Sequence, residues 1–190
     1  VGVEDPGYFL AKKCFASYGA ELVPIPVDDM GLVTQHVDVL ERPLKALYTT
    51  PSHQFPLGGT LPLSRRLVLL EWARATNTIL IEDDYDSEFK FEGRPLSALQ
   101  GLDTSGSVIY MGSFSKVLYP ALRLAYVVVP RALMEIYTYA KRLSDHSSPM
   151  LPQMVLADFM EHGLLEKHIA KMRSVYGSTR QLLISQLQKY

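Results

Sequence analysis

Short apolar runs of strand length recur along this chain between stretches of helical spacing, and that alternation narrows the available folds more than any other feature. The clearest run is Thr78-Ile79-Leu80-Ile81, whose composition predicts a strand buried on both faces. Before it, Leu63 to Thr76 has a helical pattern with Leu63, Leu67, Leu70 and Ala73 along one face. Arg65, Arg66, Glu71 and Arg74 lie elsewhere on that helix, and Asn77 ends it. Glu21–Pro26, Ala46–Thr49, Val108–Met111 and Leu124–Val129 read as further strands. Asp5-Pro6 reads as a helix N-cap followed by proline at the first helical position, opening a helix over Tyr8–Tyr18 that Gly19 stops. Asp28–Gly31 is a turn, Gln35–Glu41 a short helix, and Thr50–Thr60 a loop pinned by proline and glycine. From Pro130 onward the pattern is helical, over Arg131–Ser144, Pro152–His162 and Leu164 to the end. Strands alternating with helices in this way predict a three-layer α/β architecture, a mainly parallel sheet with flanking helices.

The charge balance excludes one class of partner for this segment. With a formal net charge of −1 over 190 residues, it carries no basic footprint for nucleic acid, so contact with DNA is expected only through a domain outside this chain. The single cysteine, Cys14, excludes an internal disulfide and fits a reducing, cytoplasmic setting. No apolar run reaches membrane-span length. The chain opens at Val1 on what reads as a strand end and closes at Tyr190 inside a helical pattern. It is therefore expected to be an internal piece of a longer protein, truncated at both ends. Residues 1–145 read as part of a large domain, and 146–190 as a helical segment leading to a small C-terminal domain.

Three clusters with chemical character each follow a predicted strand, where ligands of open α/β sheets bind. In Ser113-Phe114-Ser115-Lys116 the lysine lies between small hydroxyl residues, and Arg123 follows a short way on. An amine able to attack a carbonyl, with hydroxyls and a guanidinium suited to a phosphate, points to an aldehyde cofactor bearing a phosphoester. The candidate is pyridoxal phosphate, held as a Schiff base on Lys116. Glu82-Asp83-Asp84-Tyr85-Asp86 offers a carboxylate to keep a pyridine nitrogen protonated and a phenol for the ring's phenolic oxygen. Asp83 and Tyr85, two apart, face the same side of an extended backbone; a solvated acidic loop or a divalent metal site is the alternative. In Thr50–Gly59, His53 and Gln54 could face a ligand, although a loop histidine is more often a bystander.

Together these motifs resemble the fold type I, aspartate aminotransferase-like, pyridoxal-phosphate enzymes. More closely, Thr-Pro-Ser-His-Gln-Phe-Pro-Leu-Gly, Ile-Glu-Asp-Asp-Tyr-Asp-Ser-Glu-Phe and Gly-Ser-Phe-Ser-Lys resemble the aminotransferase-like domain of MocR/GabR-type bacterial transcription regulators of the GntR family. The resemblance implies that Lys116 carries the cofactor, Asp83 holds the pyridine nitrogen, Tyr85 meets the phenolic oxygen, and Ser113, Ser115 and Arg123 bind the phosphate. It implies a homodimer that senses an amino acid or amine effector, with a winged-helix DNA-binding domain outside this chain. The alternative it leaves is a working class I/II aminotransferase. Phe55 stands where ordinary aminotransferases carry asparagine, which favours the regulator; Ala125 replaces a glycine common after the Leu-Arg-Leu run.

Overall fold

A computed structural model describes residues 1–40, 43–91 and 96–189. The elements run β1 (Gly2–Asp5), α1 (Phe9–Ser17), β2 (Val23–Asp28), β3 (Gly31–Leu32), α2 (Gln35–Asp38), β4 (Ala46–Thr49), α3 (Leu63–Thr76), β5 (Ile79–Asp84), α4 (Leu99–Leu102), β6 (Val108–Ser113), α5 (Phe114–Val117), β7 (Ala125–Val128), α6 (Met134–Asp145), α7 (Met150–Glu161) and α8 (Leu164–Leu187). The strands form one seven-stranded sheet in the order β3-β2-β1-β4-β5-β6-β7. Strands β2, β1, β4, β5 and β6 pair in parallel, while β3 and β7 pair antiparallel at the edges. The expected mainly parallel α/β sheet is thus the observed one. Because β1 pairs with β2 on one side and β4 on the other, the carboxyl ends of β1 and β4 flank a topological switch point, where such sheets bind ligands.

The core lies between this sheet and α3. Leu47, Leu69, Ala73 and Leu80 are fully excluded from water, and each such leucine contributes roughly 1.5–3 kcal/mol by burial. Helix α3 has the expected bounds, and Asn77 closes it in the left-handed conformation at φ 54°. Its buried face is rotated from the expected one. Leu63 and Leu67 are about half exposed, whereas Arg66, Leu69, Leu70, Trp72 and Ala73 are buried. The cause is Arg66. Its Nε donates to the Leu61 carbonyl at 2.8 Å, and its two terminal nitrogens donate to those of Pro51 (2.7 Å) and Ser97 (3.1 Å). A buried arginine is tolerable only when its donors are matched in this way.

Strand β5 runs further than Ile81. Leu80, Glu82 and Asp84 point to one face and are buried, while Ile79, Ile81 and Asp83 are half-buried on the other. Glu82 accepts hydrogen bonds at 2.9 Å from the backbone N–H groups of Leu99 and Gln100, at the start of α4, and lies 3.8 Å from Arg66. The acidic cluster is therefore largely strand, and two of its carboxylates are core groups.

At the N-terminus, Asp5 ends β1 instead of capping a helix. Its side chain pairs with Lys12 at 2.8 Å, and α1 starts at Phe9 with no side-chain cap. Glu41, the expected end of the helix that here spans Gln35–Asp38, and Tyr190 lie outside the described residues. Helix α6 buries none of its residues, and α7 and α8 bury only Leu156 and Leu165 among those described.

Removing one partner of a buried ion pair leaves an uncompensated charge, at a cost of about 3–5 kcal/mol. Arg66→Met is expected to lower the unfolding free energy by that amount in urea titrations; an unchanged midpoint would contradict the role given to Arg66.

Candidate active site

The carboxyl ends of β4, β5 and β6 open onto a cavity of about 380 Å³ lined by Tyr8, Tyr48, Thr50, Phe55, Asp83, Tyr85, Ser113, Ser115, Lys116, Pro120 and Arg123. All six residues singled out from sequence, Lys116, Asp83, Tyr85, Ser113, Ser115 and Arg123, line this one space. The parallel β5–β6 pairing sets Asp83 and Tyr85 beside Ser113–Lys116, and the antiparallel return of β7 against β6 brings Arg123 to the same place. Asp83 sits opposite Met111 in the β5–β6 register, two residues before Ser113.

Ser113 ends β6, and its Oγ accepts from the Ser115 N–H at 3.1 Å, opening the single turn α5 that carries Lys116. The turn after Tyr119 brings the chain back, and Arg123 takes a left-handed conformation at φ 53°, ψ 33° before β7 begins. Few non-glycine residues sit there without constraint from their surroundings. One part of the cavity wall therefore gathers an amine, two hydroxyls and a guanidinium.

The carboxylate comes from β5. Asp83 Oδ2 accepts a hydrogen bond from the Tyr48 hydroxyl. Burial pushes the Asp83 carboxyl above the usual carboxylate range; the Tyr48 hydrogen bond opposes this, and Asp84, Glu4 and Asp86 reinforce it. The Tyr85 phenol is pushed up by burial and then by the carboxylates around it, so it stays protonated and able to donate.

The loop over the strand ends is fixed from beneath by Glu4, which is 1% exposed. Its carboxylate accepts from Thr49 Oγ1 (2.6 Å), the Thr50 N–H (3.0 Å), Thr50 Oγ1 (2.7 Å) and Gln54 Nε2 (3.1 Å). Gln54 does not face a ligand as its loop position suggested. It is buried, donating also to the Pro6 and Phe55 carbonyls and accepting from the Leu57 N–H. His53 is exposed, 2.7 Å from Asp86 through Nδ1, with its ring stacked on Tyr85 at 5.8 Å. It borders a neighbouring recess together with Lys116. Phe55 meets Tyr8 and Tyr85 edge-on, at 5.6 and 6.4 Å.

Thr50 opens a loop already recognised from sequence, whereas Tyr8 and Tyr48 were given no role because no local pattern assigns them one. The available signal was position: Tyr48 precedes the Thr50 loop by two residues on a strand already recognised. The solvated-loop alternative for the acidic run does not hold: Glu82 and Asp84 are buried, with Asp84 accepting from Ser87 and Tyr110.

The model of the class I and II aminotransferase family matches residues 1–190. The chain belongs to that family. This aminotransferase-family chain is similar to the HTH-type transcriptional regulator YdeL of Bacillus subtilis, 43% identical over 100% of the chain and 40% of that protein. It is 38% identical to the probable rhizopine catabolism regulatory protein MocR of Rhizobium meliloti, over 99% of the chain and 38% of that protein. Among solved structures, kynurenine aminotransferase of Pyrococcus horikoshii matches with a TM-score of 0.93 and 32% identity, covering 100% of the chain and 48% of that structure. The chain thus spans about two-fifths of these regulators and about half of the enzyme.

The hydrogen bond that His53 donates to the Asp86 carboxylate raises the His53 pKa above its ordinary value. A raised folded value means that the pair's stabilisation is fully present below the unfolded His pKa of about 6.5 and is lost as pH rises through the folded value. Asp86→Asn is expected to lower the His53 midpoint, followed by ring-proton NMR; an unmoved midpoint would remove the pair from the site's electrostatics.

Proposed function

We propose that this chain binds pyridoxal 5'-phosphate on Lys116 and is the effector-sensing, aminotransferase-like domain of a bacterial transcription regulator. The observation that carries the reading is the single cavity joining Lys116, Asp83 and Arg123. Its donor set suits the cofactor: hydroxyls and a guanidinium for a phosphate, a carboxylate for a protonated ring nitrogen, a phenol for a ring oxygen and an amine for an aldehyde.

When bound, pyridoxal phosphate supplies an aldehyde for covalent attachment and a ring that draws electron density from an attached amine. The protein's residues do the rest. Ser113, Ser115 and Arg123 hold the phosphate, Arg123 through its planar fork of donors. Asp83 keeps a proton on the ring nitrogen, and Tyr85 donates to the phenolic oxygen. Lys116, exposed at the cavity wall on a one-turn helix, would present its amine to the cofactor's aldehyde, at the position for which an amino acid or amine effector would compete. The similarity to YdeL and MocR supports a regulatory outcome, with DNA contacted through a domain outside this chain; a homodimer is part of the proposal. The segment 146–190, rich in exposed apolar side chains such as Met150, Leu151 and Leu182, is proposed to lead into a further domain. The second reading is catalytic: the likeness to kynurenine aminotransferase, solved in complex with PMP, supports completed transamination with Lys116 also moving the proton.

The intact protein mixed with pyridoxal phosphate is expected to gain a visible absorbance band, and Lys116→Ala to abolish it. An undiminished band in the variant would sink the lysine assignment. Arg123→Ala is expected to weaken cofactor binding at least tenfold, about 1.4 kcal/mol, with the urea midpoint unchanged; equal losses in both would make Arg123 a folding residue.

A further inference from the structure

The structure holds one tightly engaged group at the cavity that the proposed function leaves without a task. Tyr48 is 3% exposed and lies on β4, opposite Ile81 in the β4–β5 register. Asp83 is two residues further along β5, on the same face as Ile81, so the pairing of the two strands itself brings phenol and carboxylate together. The Tyr48 ring is held edge-on by Phe15 of α1 at 5.9 Å, and its hydroxyl donates to Asp83 Oδ2. Among the described residues Asp83 accepts no other hydrogen bond, which leaves Oδ1 to the cavity that both residues line.

We propose that Tyr48 is a positioning residue: by occupying Oδ2 it orients Asp83 with Oδ1 toward the cofactor's ring nitrogen and keeps the shared proton on that nitrogen instead of on Asp83. This rests on the reading that the cavity holds pyridoxal phosphate. The direction follows from elementary acid–base chemistry. A hydrogen bond donated to a carboxylate lowers its proton affinity, and of two bases sharing one proton, the weaker loses it. Asp83 needs such a donor, because burial and three neighbouring carboxylates all work to protonate it. Removing the Tyr48 hydroxyl reverses the balance without touching Lys116.

The test loads the intact protein with pyridoxal phosphate labelled with nitrogen-15 in the ring and reads the ring-nitrogen chemical shift. Wild type is expected to show a protonated ring nitrogen. Tyr48→Phe is expected to keep the visible band, bind cofactor several-fold more weakly and move the shift toward the unprotonated value, as Asp83→Asn does. Near-UV circular dichroism establishes that the variant is folded. If it is not, 3-fluorotyrosine placed at position 48 keeps the packing and strengthens the donor, and at the same pH the ring-nitrogen shift should lie at or beyond the wild-type value on the protonated side. A Tyr48→Phe shift identical to wild type, or a fluorotyrosine shift that moves toward the unprotonated value, overturns the proposal while leaving cofactor binding intact. Wild-type protein that takes up no cofactor overturns it together with the reading on which it rests.

Discussion

The arrangement depends on a buried arginine. Arg66 reaches from α3 to the carbonyls of Pro51, Leu61 and Ser97, and it faces Glu82 at 3.8 Å. The first two carbonyls belong to the loop over the strand ends, and the third lies just before α4. Glu82 in turn fixes the start of α4 and sets which way β5 faces. With Glu82 committed to the core, strand alternation sends Asp83 into the cavity. Burial keeps this network ordered: an unmatched guanidinium or carboxylate in the same place would cost several kcal/mol, so the loop cannot shift without breaking several contacts together. Glu4 does the corresponding work on the other side of the loop, gathering Thr49, Thr50 and Gln54 onto one carboxylate.

Much of the fold was legible because its signals are local. The bounds of β4 and α3 could be read from apolar runs and a stop residue, and the three chemical motifs could be placed at strand ends. What escaped depends on tertiary partners. Nothing local to α3 says that Arg66 would be buried while Leu63 and Leu67 stay exposed, since carbonyls remote in sequence decide it. Nothing local to Asp5-Pro6 separates a helix cap from a strand end. Gln54 looked available to a ligand because its four partners lie on Glu4, Pro6, Phe55 and Leu57, three of them indifferent to side-chain type. In the site, Lys116, Asp83, Tyr85, Ser113, Ser115 and Arg123 were legible from their functional groups, and Tyr8 and Tyr48 were not. Tyr8 acts through packing against Phe55 and Tyr48 through a hydrogen bond to a carboxylate on the neighbouring strand, which single positions do not advertise.

The same geometry bears on the choice between sensor and catalyst. The residues proposed to hold the cofactor serve both, so they do not discriminate. Connections away from the site are more telling. The turn that carries Lys116 is tied to α8, where His168 Nε2 lies 3.0 Å from the Val117 carbonyl, and Arg173 of the same helix donates to the Glu88 carbonyl at 2.6 Å. Helix α8 therefore touches both the lysine segment and the end of the acidic segment. A change in how Lys116 is engaged has a covalently short path to a long helix with a largely exposed surface. Such a path is what a sensor would use to pass on the state of Lys116.

The most direct test of the account is chemical. Borohydride reduction of the protein incubated with pyridoxal phosphate, followed by peptide mass mapping, should place a phosphopyridoxyl group on the peptide containing Lys116. Modification spread over Lys90, Lys141 and other surface lysines, with the Lys116 peptide unmodified, would contradict it.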